Sequence, residues 1–335
     1  MKKRVFLQAA AAAAIVAIAL PASAEDWKPT HPINLIVPWA AGGSTDQVTR
    51  IAAAELEKML GQTIVIVNQP GASGAIGTRN ALVAAKDGYT WTAGAAQDLG
   101  AYQTLGSLDA SIKDWHLFLT VANVSVLGVN PQRPWKTAGE LIAAMKAKPG
   151  EISVATAGVT SAGHSAMDRV VQATGVKYKE VTYDGGNPAV LSTVAGETDL
   201  TSQLAVEQAD MIRGKRLRPL AVVGNKPLDL EGYGTIPPLS NDVPNLKAPL
   251  NYFGIFIPKG VPDNVIQTLQ KIWAEKMPQD AALKKYAATR GAVYDPLYGE
   301  AAQKAVFPAV QLNAWNIYES GKGKVSPDTV GIPKP

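Results

Sequence analysis

The chain has 335 residues, of which 47% are hydrophobic and 18% charged, and it contains no cysteine. That composition excludes disulfides, thiolate catalysis and cysteine metal sites, so stability has to come from a core large enough for one or two domains. Three of the 32 basic residues, Lys2, Lys3 and Arg4, precede an apolar run, leaving 29 basic against 28 acidic residues downstream; this balance offers no basic stripe for nucleic acid or a membrane surface.

Lys2 to Arg4, the alanine-rich run Val5 to Leu20 and the small residues Ala22-Ser23-Ala24 read as a secretory leader over 1–24, cleaved near Ala24. A retained membrane anchor is the weaker reading, because the apolar run is short and a cleavage site follows it. No later segment reaches ~18 consecutive apolar residues.

Ile33 to Val37 predicts a buried strand ended by Pro38, and a helix follows from Thr45 to Leu60 with Val48, Ile51, Ala52, Leu56 and Met59 on one face. Ser44 and Gln47 have capping-box spacing. The free N–H groups from Gly42, Gly43, Ser44 and Thr45 to Asp46 would point, with the helix dipole, at an anion such as a carboxylate. A strand Thr63 to Val67, a helix from about Ala75 to Ala85 and a strand Tyr89 to Ala93 continue the alternation. Leu117 to Val129 is a long β-rich run, and Thr137 with Glu140 starts a helix that ends near Lys148.

The pattern then restarts. Strand Ile152 to Ala155, a helix around Ala166 to Ala173, strand Lys179 to Thr182, a helix opened by Pro188, and strands Thr198 to Gln203 and Pro219 to Val223 form a second half. Pro227 to Pro249 reads as loop, Tyr252 to Ile257 as a returning strand, and Asp263 to Met277 and Glu300 to Tyr318 as helices. This order predicts an α/β protein of two lobes, each a mostly parallel sheet flanked by helices. Lobe I would comprise 25–125 and 254–335 and lobe II 126–253, with hinge crossings in Val121 to Val129 and at Tyr252 to Ile257.

Three small-residue loops each follow a strand and open a helix: Trp39 to Asp46, Gln69 to Gly77 and Thr156 to His164. They admit close ligand approach and supply hydroxyls from Ser44, Ser73, Thr156, Thr160 and Ser161; taken singly, each is better explained by ordinary turn and capping needs, and it is the three together, at the strand ends of two lobes, that favour a ligand. Gln69 to Gly77 lacks the G-x-G-x-x-G order of a dinucleotide loop, and no Walker lysine motif occurs. His31, His116 and His164 show no i, i+4 ligand spacing, so no metal site is expected. Ser161 and His164 lack the G-x-S-x-G elbow, and three residues along one turn is a poor geometry for nucleophile and base. His164 would pack or donate one hydrogen bond to a ligand. Trp39 and Tyr183 could close over an apolar ligand body, and Asp184 could accept from a ligand or simply start a turn.

Taken together, HPINLIVPWAAGGSTDQVTR, VIVNQPGASGAIGT, AKDGYTW, LGVNPQRPWKTAGELIAAMKAKPGEISVATAG, VTYDGGNPAVLSTVAGETDL and FGIFIPKGVP resemble the Bug-type solute-binding proteins of tripartite tricarboxylate transporters across the whole chain after the leader. The resemblance implies a periplasmic binding protein of type II-like architecture that closes on a small organic acid and hands it to membrane permease subunits, as a monomer without cofactor. It implies a ligand site at Gly42, Gly43, Ser44, Thr45 and Asp46 opposite Thr156, Ala157, Gly158, Thr160, Ser161 and His164, flanked by Ala72, Ser73, Gly74 and Ala75. The chain departs from the family at Ala40-Ala41, at Asp184, where a basic residue is common, and at Ser202-Gln203, all near the far end of the ligand. Loss of a cation at Asp184 disfavours a second ligand carboxylate there and favours an aromatic, neutral or amine-bearing tail. A sensory adaptor for a membrane kinase would use the same cleft; a secreted hydrolase built on Ser161 is a third, weaker expectation.

Overall fold

A computed structural model describes residues 26–246 and 248–335, so the leader expectation lies outside the described residues. The first half runs β1 (Ile33–Val37), α1 (Ser44–Leu60), β2 (Ile64–Asn68), α2 (Ala75–Val83), β3 (Thr90–Ala95), α3 (Asp98–Leu105) and β4 (Trp115–Asn123). Next come β5 (Ser125–Val129), α4 (Ala138–Ala147), β6 (Ser153–Thr156), α5 (Ala162–Thr174), β7 (Lys179–Thr182), α6 (Gly186–Ala195), β8 (Leu200–Leu204), α7 (Ala205–Arg213) and β9 (Arg218–Val222). A short hairpin of β10 (Leu228–Leu230) and β11 (Gly234–Ile236) leads to β12 (Asn251–Pro258), α8 (Asp263–Glu275), α9 (Ala281–Arg290), β13 (Val293–Tyr294) and α10 (Gly299–Glu319).

Two main sheets result. The first has the order β13-β4-β12-β3-β1-β2 and the second β7-β6-β8-β5-β9. β1 is parallel to β2 and β3, and β6 is parallel to β7 and β8, while β12 and β5 run antiparallel to their neighbours. The antiparallel pair follows from the connectivity, because each of these strands enters its sheet directly from the other one. The chain leaves the first sheet after Asn123, enters the second at Ser125 and returns at Asn251. This is a mixed α/β fold of two lobes with helices on both sheets.

Each sheet buries an apolar set, and Ala162, Leu204 and Val206 of the second half join the core of the first. Leu35, Trp91, Phe118, Ile255 and Trp273 lie in one core, and Leu127, Val154, Met167 and Leu220 in another. Fully burying a Leu, Ile or Phe side chain contributes about 1.5–3 kcal/mol, so the lobes need no cross-links. The Trp273 indole N–H donates to the Leu119 carbonyl at 2.7 Å, so the largest side chain there is buried without an orphaned donor. Among the described residues, no helix is long and apolar enough to cross a membrane.

Several predicted bounds shift. α5 starts at Ala162 rather than Ala166, Pro188 is the third residue of α6, and α8 ends at Glu275 rather than Met277. α3, α7, α9 and β13, and the hairpin within Pro227 to Pro249, lie where the sequence reading places no element.

Candidate functional site

The loops after β1, β3, β6, β7 and β8 all leave the carboxyl ends of their strands, where open α/β sheets bind ligands. The two lobes bring these loops face to face. Between them is a small cavity lined by Trp39, Gly43, Ser44, Thr45, Ala95, Asp98 and Phe253 on one side. Ala157, Ser161, Ala162, Gly186, Gln203, Leu204 and Glu207 line the other. It leaves about 30 Å³ for water centres, room for about two waters. A wider groove of about 430 Å³ opens beside it, walled by Ala72, Ser73, Ala157, Gly158, Thr182, Tyr183 and Asp184. Ala157 borders both.

At the start of α1, Gly43 is the N-cap and makes no side-chain cap, because it has no side chain. Ser44 is therefore the first helical residue rather than the cap, and the Gln47 amide donates to the Gly42 carbonyl at 2.7 Å instead of closing a capping box. The Ser44 N–H donates to Glu207 Oε1 at 2.8 Å, across the lobe boundary. The amide expected to receive a ligand carboxylate thus holds a carboxylate of the protein itself.

Asp46 turns the other way. Its carboxylate accepts from the Gly42 N–H at 2.9 Å, from Arg50 Nε at 2.9 Å and from Asn68 Nδ2 at 3.0 Å. Burial works to raise its pKa, but these donors outweigh burial and hold it below the ordinary aspartate range. Asp46 fixes the glycine loop and does not line the cavity; Gly42 is likewise absent from the lining.

Across the cleft, Ser161 caps α5 by accepting from the His164 N–H at 3.2 Å. Thr160 donates through Oγ1 to the Ser73 carbonyl at 2.8 Å, and the Ala40 N–H donates to the Asp184 carbonyl at 3.1 Å. Thr160, Thr156, Gly74 and Ala75 line neither cavity nor groove. Thr160 joins the lobes, Thr156 lies buried at the end of β6, and Ala75 packs in the core beneath α2.

His164 is fully buried and also lines neither space. Its Nε2 lies 2.7 Å from Lys322 Nζ and its Nδ1 3.3 Å from Glu180 Oε1, while Asp168 Oδ1 is 3.6 Å from Nε2. Burial first, and then the Lys322 charge, push its imidazole down to about 4, so near neutral pH it is uncharged. A neutral ring in this setting accepts from Lys322 at Nε2 and donates from Nδ1 to Glu180. Both nitrogens are engaged, so of the two expectations for His164, packing and donation to a ligand, the geometry fits packing and leaves no ring N–H for a ligand.

The two titratable residues of the cavity are both acids that sequence reasoning missed. Asp98 is 3% exposed, its Oδ1 has no hydrogen-bond partner among the described residues, and burial raises its carboxyl well above the usual range, with Trp39 offsetting part of that. Burial also raises Glu207, partly opposed by donors from Ser44 and Leu204. Gln203, oriented with its amide nitrogen toward Glu207, donates to Oε2 at 2.8 Å and accepts from the Ala157 N–H at 2.7 Å. The position of Asp98 after a strand end was a usable signal; Glu207, inside the charged segment AVEQADMIR, looks like a solvated helix face.

Comparison with known proteins follows the same outline. The family described as "Tripartite tricarboxylate transporter family receptor" matches residues 48–319. The chain is 30% identical over 313 residues to Protein BugT of Bordetella pertussis, covering 90% of this chain and 92% of that one. It is similar to the periplasmic binding protein BugD, with a TM-score of 0.78 and 26% identity over 88% of this chain and 99% of that one. Its fold also matches an R. palustris protein solved with adipate, with a TM-score of 0.76 and 24% identity over 88% and 99% of the two chains.

Proposed function

Because the chain belongs to the tripartite tricarboxylate transporter receptor family, we propose that it captures a small carboxylate-bearing solute between its lobes in the periplasm and delivers it to the permease subunits of such a transporter. The observation that carries this reading is the meeting of loops from the strand ends of both sheets around one polar cavity. Closure there removes a small solute from water and lets backbone amides and hydroxyls replace its hydration. The R. palustris relative solved with adipate supports a carboxylate as ligand chemistry.

The site residues in this reading are those that face the cavity and groove: Trp39, Gly43, Ser44, Thr45, Ala157, Ser161 and Gln203, with Ala72, Ser73, Gly158, Tyr183 and Asp184 at the mouth. The protein acts without chemistry. Ser161 accepts from a backbone amide and His164 is held by Lys322 and Glu180, so no serine–histidine pair is aligned for attack. Lobe I, 25–125 with 254–335, and lobe II, 126–253, move as units about the two crossings.

Thermal-shift screening of the chain from Glu25 onward against organic acids and amino acids tests this. A ligand at 100 times its dissociation constant adds about 2.7 kcal/mol and a clear rise in melting temperature. Silence across a broad panel would sink the reading.

A further inference from the structure

A second cavity, of about 190 Å³, lies where the chain passes between the two sheets. Its walls include Asn123, Val124 and Ser125 of the first crossing and Ala248 to Asn251 of the second. Among the described residues, Ala162 alone lines both this cavity and the one between the loops. Arg169 follows Ala162 by two turns of α5, so it lies on the same helix face about 10 Å farther along, away from the loops.

The lining holds two cations, Arg169 and Lys226, and no aspartate or glutamate. Lys226 is exposed, whereas Arg169 is only 7% exposed. Among the described residues no carboxylate forms an ion pair with Arg169; Asp168, its neighbour in sequence, lies beside His164 instead. Arg169 Nη1 donates to Ser165 Oγ at 3.2 Å, and its Nε has no acceptor. Burial lowers its pKa to about 10, with the Asp168 charge opposing, so near neutral pH it keeps its proton. Two asparagines share its condition. Asn123 and Asn251 are directly paired in the β4–β12 register and almost completely buried, and neither the nitrogen nor the oxygen of either amide has a partner among the described residues.

Buried polar atoms without partners are uncommon in folded proteins. Water can satisfy the amides, but it leaves the guanidinium charge uncompensated, and an unpaired buried charge is the costlier defect. A small oxyanion meets both needs. It neutralises Arg169 and accepts from its Nε–H and from the asparagine Nδ2 groups, while its own hydroxyl, or a water carried with it, donates to the Oδ1 atoms. The space exceeds that of several waters, enough for a carboxylate or an inorganic oxyanion.

We propose that the cavity at the crossings is a second ligand site, separate from the solute cavity, that takes a small oxyanion held by Arg169, Asn123 and Asn251.

Isothermal titration calorimetry on the chain from Glu25 onward, in a low-chloride buffer, tests this with sodium acetate, sodium sulfate and sodium phosphate in separate titrations. The expected result is one anion bound per chain: acetate if the site takes a carboxylate, sulfate or phosphate if it takes an inorganic oxyanion. Arg169→Met weakens that anion by about tenfold or more, and Asn251→Leu by about threefold or more. Arg169→Met removes an uncompensated buried charge, so without anion it is expected to melt no lower than wild type, which separates lost binding from lost folding. If it does not fold, Asn251→Leu, which replaces an unpartnered amide by an apolar group of the same size, decides alone. A folded Ala157→Leu variant, narrowed at the solute cavity and not at the crossings, keeps the anion within about twofold of wild type. Binding by none of the three anions, or an affinity that either Arg169→Met or Asn251→Leu leaves unchanged, would overturn the site. Loss of the anion in Ala157→Leu would overturn it too, by placing the anion between the loops.

Discussion

Glycine at position 186 is what lets the Glu207 carboxylate reach the first turn of α1. A β-carbon there would run into both carboxylate oxygens, so an alanine displaces the Glu207 carboxylate from the Ser44 N–H. Gly186→Ala is expected to cost about 1–3 kcal/mol, the usual penalty for overpacking a filled site. Urea unfolding measures it, and a loss under about 0.5 kcal/mol would mean that Glu207 does not sit against Gly186. Gly163 is constrained in the same way, since its β-carbon would strike the Ser202 carbonyl. These two close approaches, one per loop, explain why both helix starts are made of small residues without invoking a ligand. The sequence shows the small residues but not which neighbours require them.

At the scale of elements, α5, β7 and the segment after α10 share one polar cluster, in which buried His164 and Asp168 meet the more open Glu180 and Lys322. Its two shifted groups oppose each other in acid. His164 is held down to about 4 against 6.5 when unfolded, so as the pH falls through 6.5 the unfolded chain takes a proton first and stability is lost until about pH 4. Asp168 is pushed up to about 6, chiefly by burial, so below pH 6 the folded chain takes the proton first and stability is regained. His164→Asn removes only the loss. Between pH 6.5 and 4 its stability relative to wild type is expected to rise by about 3 kcal/mol. Paired urea titrations read this directly, and a difference that stays flat with pH would show that His164 is charged or exposed.

Elements with strong periodicity were legible. β1 and α1 fall within one residue of the reading, because Ile33 to Val37 and the Val48, Ala52, Leu56 stripe are buried by local pattern alone. α7 and α9 were not, since AVEQADMIR and AALKKYAATR mix charges into faces that only the neighbouring elements bury. The same reason hid Glu207. The start of α1 was read as a capping box because Ser44 and Gln47 have the spacing, whereas a carboxylate 163 residues away takes the amide instead. Ala72, Ser73, Tyr183 and Asp184 do converge in space, as the loop chemistry suggests, but at the mouth rather than the interior.

For the whole molecule, the two lobes meet through apolar contacts, where Ala162, Leu204 and Val206 join the first core and Ala157 packs with Val37 and Trp39, and through polar ones that include Ser44 to Glu207, Thr160 to Ser73, Ala40 to Asp184, Gln172 to Asn316 at 2.8 Å, and Lys322 to Glu180 at 2.7 Å. Polar contacts of this kind contribute about 0.5–1.5 kcal/mol each and are easily exchanged for water, unlike the apolar cores within the lobes. The proposed solute capture between the lobes carries the expectation that they open and close as two bodies about the crossings. Small-angle scattering is expected to give a smaller radius of gyration with a bound solute than without; equal radii would argue for a rigid pair of lobes.

The central claim is that one small solute occupies the space between the lobes. Native mass spectrometry of the chain from Glu25 onward, purified gently and then incubated with the organic-acid and amino-acid panel, tests it most directly. The account predicts a single small molecule bound per chain, displaced in a folded Ala157→Leu variant, because Ala157 borders both the cavity and its mouth. A chain that carries no solute under any of these conditions, or one whose bound solute is indifferent to Ala157→Leu, would contradict it.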